Sequence, residues 1–184
     1  MRRPMGLVQV DNAFPAITRP VIQKTLGPLA VRVESLQYDV NVEGESPSPL
    51  YTVRGEFMTT TPTLQLFDKD GKPVALLKGN VLKTKFHIRS EKNDELASIN
   101  FSAISFRKTF TMTVGTKGYH ANAGVVGVVK DIFECKDNAG NVALIVSKEP
   151  GIRDRFKIEL REERDVPVEV AILASVALHS RFYE

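Results

Sequence analysis

The chain has 184 residues, 42% hydrophobic and 26% charged, which suits a globular protein with one sizeable core. Its net charge of +3, from 25 basic and 22 acidic residues, is too mild to argue for nucleic acid. The single Cys135 excludes an internal disulfide and a multi-cysteine zinc site. Residues 1–20 carry no apolar run of signal-peptide length, so a cytoplasmic protein is expected.

Residues 1–28 hold four prolines and little periodicity, and read as an irregular arm ahead of one domain, residues 29–184. Alternation starts at residue 29. Val31 and Val33 share a strand face; Leu36, Tyr38, Val40 and Val42 share a face of the next segment, with a bulge or break near Ser35. Residues 43–49 (EGESPSP) are a loop by composition. Short strands are then expected over residues 51–57, 63–67, 74–77, 81–88, 96–101, 104–114, 125–135, 142–146 and 155–160. Turn signals lie at 68–71, 91–95, 115–118 and 137–140. Lys108 has the parity of Phe106, Phe110 and Met112, and a bulge turning it outward is expected over a buried lysine.

Residues 165–182 (DVPVEVAILASVALHSRF) read as a helix, with Asp165 as N-cap and Pro167 in the first turn. Val170, Ile172, Leu173 and Val176 belong to an apolar run that covers every side at 3.6 residues per turn. With no polar stripe, such a helix must be enclosed or inserted in a membrane. Glu169, Ser175, His179 and Arg181 interrupt a run shorter than the roughly 20 apolar residues of a span, so enclosure is expected. Many short strands with one such helix make a closed or nearly closed barrel, since open edges would otherwise remain.

Part of the chain looks duplicated. LQLFDKDGKPVALLKG, from Leu64, resembles FECKDNAGNVALIVSK, from Phe133: in both a strand runs into an Asp-to-Gly turn and returns as Val-Ala-Leu. Lys83-Thr84-Lys85-Phe86-His87-Ile88 resembles Arg153-Asp154-Arg155-Phe156-Lys157-Ile158 at the same spacing. Two copies suggest a barrel built from two similar sheets rather than a solenoid.

Four features in order resemble the LURP-one-related family. They are Tyr51-Thr52-Val53-Arg54-Gly55-Glu56-Phe57, the Asp68-Lys69-Asp70-Gly71 turn with Pro73-Val74-Ala75-Leu76, the basic-aromatic strand from Arg153 to Ile158, and the apolar carboxy-terminal helix. The family lies in the tubby C-terminal-like superfamily, which also holds the phospholipid scramblases. The resemblance implies a mainly β fold: a closed barrel of about twelve strands wrapped around a buried central helix. It also implies either a membrane-peripheral module for anionic, phosphoinositide-type headgroups or a protein-interaction scaffold. With no cysteine-rich segment, scrambling itself is not expected.

Candidates for chemistry are few. Cys135 has Lys136 beside it and no histidine nearby in sequence, and reads as an inert core cysteine. His87, His120 and His179 share no metal-ligand spacing, and no phosphate-loop or nucleophile-elbow motif occurs. His179 is expected to be hydrogen-bonded near the barrel mouth. No catalytic residues, metal or cofactor are expected, and the chain does not read as an enzyme. The basic residues are the better lead. Strand parity sets Lys83, Lys85, His87 and Arg89 opposite Phe86 and Ile88, and sets Arg153, Arg155 and Lys157 opposite Phe156 and Ile158. A row of like charges favours an anionic partner. Lys83, Lys85, Arg89, Arg153, Arg155 and Lys157 are therefore the candidate anionic-lipid residues. A solvated face paired with Glu159, Glu162 or Glu163 is the alternative.

Overall fold

The computed structural model describes residues 29–34, 37–42, 48–55, 61–102, 108–126, 130–149, 155–161 and 166–183. The amino-terminal arm, Asp165 as N-cap, Glu56 and Phe57 lie outside them. Among the described residues the strands are β1 (Leu29–Glu34), β2 (Gln37–Val42), β3 (Tyr51–Gly55), β4 (Thr63–Asp68), β5 (Pro73–Gly79) and β6 (Lys85–Ser90). They continue as β7 (Glu95–Phe101), β8 (Thr109–Val114), β9 (Lys117–Val126), β10 (Lys130–Asp137), β11 (Val142–Glu149) and β12 (Arg155–Leu160). One helix, α1 (Val168–Phe182), follows. All pairings are antiparallel within one sheet, and neighbours in sequence are neighbours in the sheet. β1 pairs with β2 along one side and with β12 along the other, where Leu29 stands opposite Ile158 and Val31 opposite Phe156.

Period-two patterning decides which side chains face the helix. On β8, Phe110, Met112 and Val114 are buried while Thr111 and Thr113 face water. On β2, Tyr38 and Val40 are buried, as their shared parity required. α1 meets the sheet most closely at β12, β5, β6 and β7. Residues from Val170 through Ser180 are buried without a break, so the helix has no solvent face. Among the described residues no helix is long and apolar enough to cross a membrane.

Enclosure obliges the helix to satisfy its own polar groups. Ser175 donates to the Ile172 carbonyl at 2.7 Å. His179 Nδ1 lies 3.2 Å from the Tyr38 hydroxyl, and its ring meets Tyr38 and Phe156 edge-on. The start of the helix differs from expectation. Pro167, extended at φ −59° and ψ 147°, is itself the N-cap, with no side-chain cap, and its carbonyl accepts from Ala171 at 3.0 Å. Proline suits the position because its fixed φ allows the extended residue before the first turn.

The strand ends also needed correction. The expected strand over residues 81–88 begins only at Lys85, because Asn80 draws the preceding residues into a turn. Residues 125–135 are not one strand: β9 runs to Val126 and β10 starts at Lys130. β9 escaped notice because its inward residues include the small Ala121 and its GYHANAG segment is poor in strand formers. Lys108 does not turn outward. It keeps its inward parity at the end of the sheet, half-buried, with Nζ 4.4 Å from the Tyr183 ring centre and 3.2 Å from its hydroxyl.

The duplication is structural as well. Asp68 Oδ1 accepts from the backbone of Asp70 and Lys72 at 3.0 and 2.9 Å; Asp137 Oδ1 accepts from Ala139 and Asn141, both at 2.9 Å. Gly71 and Gly140 complete these turns at φ 76° and 83°, a region that favours glycine. Each hairpin carries a register shift two residues before its aspartate pairs back, between Leu66 and Phe67 and between Cys135 and Lys136. β6 and β12, the two basic-aromatic strands, stand six places apart in the strand order.

Burial on every side makes the helix sensitive all around. Ile172 and Leu173 point about 100° apart on a helix, yet both are fully buried. Ile172→Ala and Leu173→Ala should each lower unfolding free energy by about 2–5 kcal/mol in denaturant titrations. A loss within about 0.5 kcal/mol for either would contradict enclosure.

Candidate functional site

Of the six candidate basic residues, Lys85 and Arg89 lie on β6, Arg155 and Lys157 on β12, and Lys83 in the turn before β6. Lys85 opens β6, exposed, and Arg89 stands about 13 Å further along the same strand. Between them, His87 Nδ1 lies 3.3 Å from Glu95 Oε1, within ion-pair range but without hydrogen-bond geometry. Arg89 donates to Asn93 Oδ1 at 2.9 Å and pairs across the sheet with Glu95, so this end of β6 has acidic neighbours. Lys157 lies on β12, with Nζ 4.0 Å from Glu159. Arg155 stands opposite Arg32 and Glu149 in register, its side chain outside the description, and Arg153 lies outside the described residues. Two rows parallel in sequence are thus carried by strands six places apart.

The Lys85 end of β6 is different. Asn80 organises the turn between β5 and β6: its Oδ1 accepts from the backbone of Thr84 at 2.8 Å and of Lys85 at 3.0 Å. Its Nδ2 donates to Thr84 Oγ1 at 2.9 Å, and its carbonyl accepts from Lys83 at 3.0 Å. Short amide side chains compete in this way with sheet pairing. Lys83 is consequently a turn residue in the left-handed region at φ 51°, a conformation costing about 1–2 kcal/mol in a residue other than glycine. Gly79 anchors the hairpin, donating to the Pro62 carbonyl at 2.7 Å. A Cβ there would meet the buried Phe86 ring at 2.7 Å.

This turn gathers residues that the sequence kept apart. Lys78, exposed on β5, stands opposite His87, and Lys83 and Lys85 follow the tip. Arg181, in the last turn of α1, donates from Nη1 to the Leu82 carbonyl at 3.4 Å. Residues 78–85 contain no acidic side chain. At the tip, Val81 and Leu82 are 68% and 72% exposed, the largest apolar exposures among the described residues. Neither Lys78 nor Arg181 is among the candidates the sequence offers. The parity of Lys78 was legible, but its neighbour across the strand pair was not, and Arg181 reaches the turn only because the helix is enclosed.

A second cationic arrangement sits where the helix ends. Lys148 Nζ lies 3.8 Å and Lys108 Nζ 4.4 Å from the Tyr183 ring centre, a cation–π setting for both. Cys135 belongs to neither group. It is fully buried, and burial pushes its thiol up to about 12. A reactive cysteine needs an electropositive, accessible setting, so this one is unsuited to nucleophilic work.

Comparison with protein families bears on the whole sheet. The LURP-one-related family model matches residues 30–177, from β1 into α1. The chain belongs to the LURP-one-related family. A comparison with curated proteins returned no match. In this LURP-one-related chain the match covers both copies of the Asp-turn hairpin as well as the β5–β6 turn, with Arg181 just beyond it.

Two outcomes follow from the geometry. Asn80→Ala removes the acceptor that closes the turn and should cost about 1–3 kcal/mol in thermal or denaturant unfolding; an unchanged midpoint would mean the turn holds without it. For Cys135, the folded thiol titrates near 12 and the ordinary value is 9.0, so its protonated form favours the folded state. That contribution is complete below pH 9 and lost as pH rises from 9 towards 12. Stability of the wild type should therefore fall more across this window than that of Cys135→Ala, and the native thiol should resist disulfide reagents at pH 8. Equal pH slopes and rapid native labelling would contradict this.

Proposed function

We propose that this LURP-one-related domain is a non-enzymatic, membrane-peripheral module that holds anionic, phosphoinositide-type phospholipid headgroups at the β5–β6 end. The observation that carries the reading is the gathering of Lys78, Lys83, Lys85 and Arg181 around a turn with no acidic residue in positions 78–85. Cations gathered at one end of the sheet raise the local concentration of anions and steer an anionic surface towards it. Lys85 and Lys83 keep their expected role in this reading, Arg89 is at most peripheral to it, and Arg153, Arg155 and Lys157 are not part of it. The sheet is taken as a closed barrel of the tubby C-terminal-like kind. Pairing of β1 with both β2 and β12, and burial of α1 on every side, support that view.

A protein-interaction or scaffold domain is the second reading. The separation of β6 from β12 favours it, as do outer-face ion pairs such as Lys136 with Glu134 at 2.9 Å. Charges already paired along a sheet face give an anionic lipid little to gain.

The test is sedimentation with phosphoinositide-containing and neutral phosphatidylcholine vesicles. Each basic residue near an anionic surface contributes about a fivefold gain in partitioning, so Lys78→Glu/Lys85→Glu should weaken binding well over tenfold. The deficit should shrink with salt, as the Debye length falls from about 10 Å at 0.1 M to about 3 Å at 1 M. Both side chains are exposed, so the thermal midpoint should hold. Wild type that ignores anionic vesicles, or a stable double variant that binds as well, would overturn the lipid reading in favour of the scaffold.

A further inference from the structure

Exposed aliphatic residues are ordinary one at a time, but Val81 and Leu82 are not scattered. They are adjacent at the tip of one hairpin and more than two-thirds exposed. The turn behind them is held by Asn80 through backbone contacts at 2.8 and 3.0 Å and by Arg181 on the Leu82 carbonyl at 3.4 Å. The backbone accepts a left-handed lysine, Lys83 at φ 51°, to make that shape. Strain retained in a stiff, exposed turn marks a conformation that other contacts impose. The result is an apolar tip with cationic residues on both flanks: Lys78 before it, Lys83 and Lys85 after it, Arg181 at its base.

We infer that Val81 and Leu82 are a membrane-insertion tip, entering the interfacial layer of an anionic bilayer while the surrounding cations engage the headgroups. This rests on the proposed headgroup reading and adds that lipid acyl surface, not the headgroup alone, is part of the ligand. The bilayer is the occupant that fits both halves of the arrangement. Its anionic surface complements the cationic flank, and its acyl boundary receives aliphatic side chains next to those charges. An acidic protein partner would satisfy the lysines without needing two aliphatic residues at the apex. Pre-shaping by Asn80 means that little ordering is spent on insertion.

The chain has no tryptophan, so Leu82→Trp places a single tryptophan at the tip, excited selectively over the tyrosines. With phosphatidylcholine vesicles containing phosphoinositide, its emission should shift to the blue and be quenched by acyl-brominated lipid; neutral vesicles should do neither. Val81→Ser/Leu82→Ser should weaken vesicle sedimentation by about ten- to a hundredfold, the scale for two aliphatic side chains gaining half of full burial. The same variant should bind soluble inositol trisphosphate as wild type does, whereas Lys78→Glu/Lys85→Glu should lose both. Vesicle binding with unshifted, unquenched emission and an unaffected serine variant would overturn insertion and leave headgroup binding standing. Wild type that sediments with no anionic vesicle would overturn both.

Discussion

A helix that is apolar on all sides cannot stand in water, and the architecture follows from that constraint. Nothing in α1 from Val170 to Ser180 is left facing solvent, so the sheet must supply inward side chains in every direction. It does so mainly by alternation, with large residues such as Phe86, Phe133, Phe156 and Leu66 on its inner face. Two polar side chains that enter with the helix find partners. Ser175 turns back on its own backbone, and His179 meets Tyr38 from β2. Leaving either unmatched would cost more than the hydrogen bond itself contributes.

The same constraint limits what the interior can do. Cys135 is fully buried in the core between helix and strands. Its thiol is driven far towards the neutral form by desolvation alone. On the outer face the two structural copies diverge. Their Asp-turn hairpins use the same hydrogen bonds and the same left-handed glycine, yet β6 opens on an exposed cationic turn while Lys157 of β12 lies near Glu159. Shared backbone chemistry has kept the hairpins alike, while the surface side chains are free to differ.

Membership of the LURP-one-related family, spanning residues 30–177, describes the scaffold more than its use. What singles out the β5–β6 turn is the coincidence of four properties within a few residues: hydrogen-bonded closure by Asn80, a left-handed Lys83, positive charge and apolar exposure. Each is common alone. On the outer face of the sheet, Lys136 has Glu134 at 2.9 Å. Such exposed pairs contribute little and leave little to attract a ligand.

Much of this molecule could be read from residues close together in the chain. The apolar periodicity of α1 required enclosure, and the Asp68 and Asp137 turns were evident because aspartate and glycine carry their turn geometry with them. Inward and outward positions on β2, β8 and β12 followed from a period of two. Local pattern failed where a side chain overrode it or a contact crossed the fold. Asn80 pulled Lys83 out of the strand that its neighbours suggested, and Lys108 stayed inward because Tyr183, far along the chain, receives its ammonium. The grouping of charges was beyond the sequence altogether. Parity says which face a lysine takes, but strand order decides which lysines are neighbours. Order separated β6 from β12 by six places, and helix enclosure brought Arg181 to Leu82 across 99 positions of sequence.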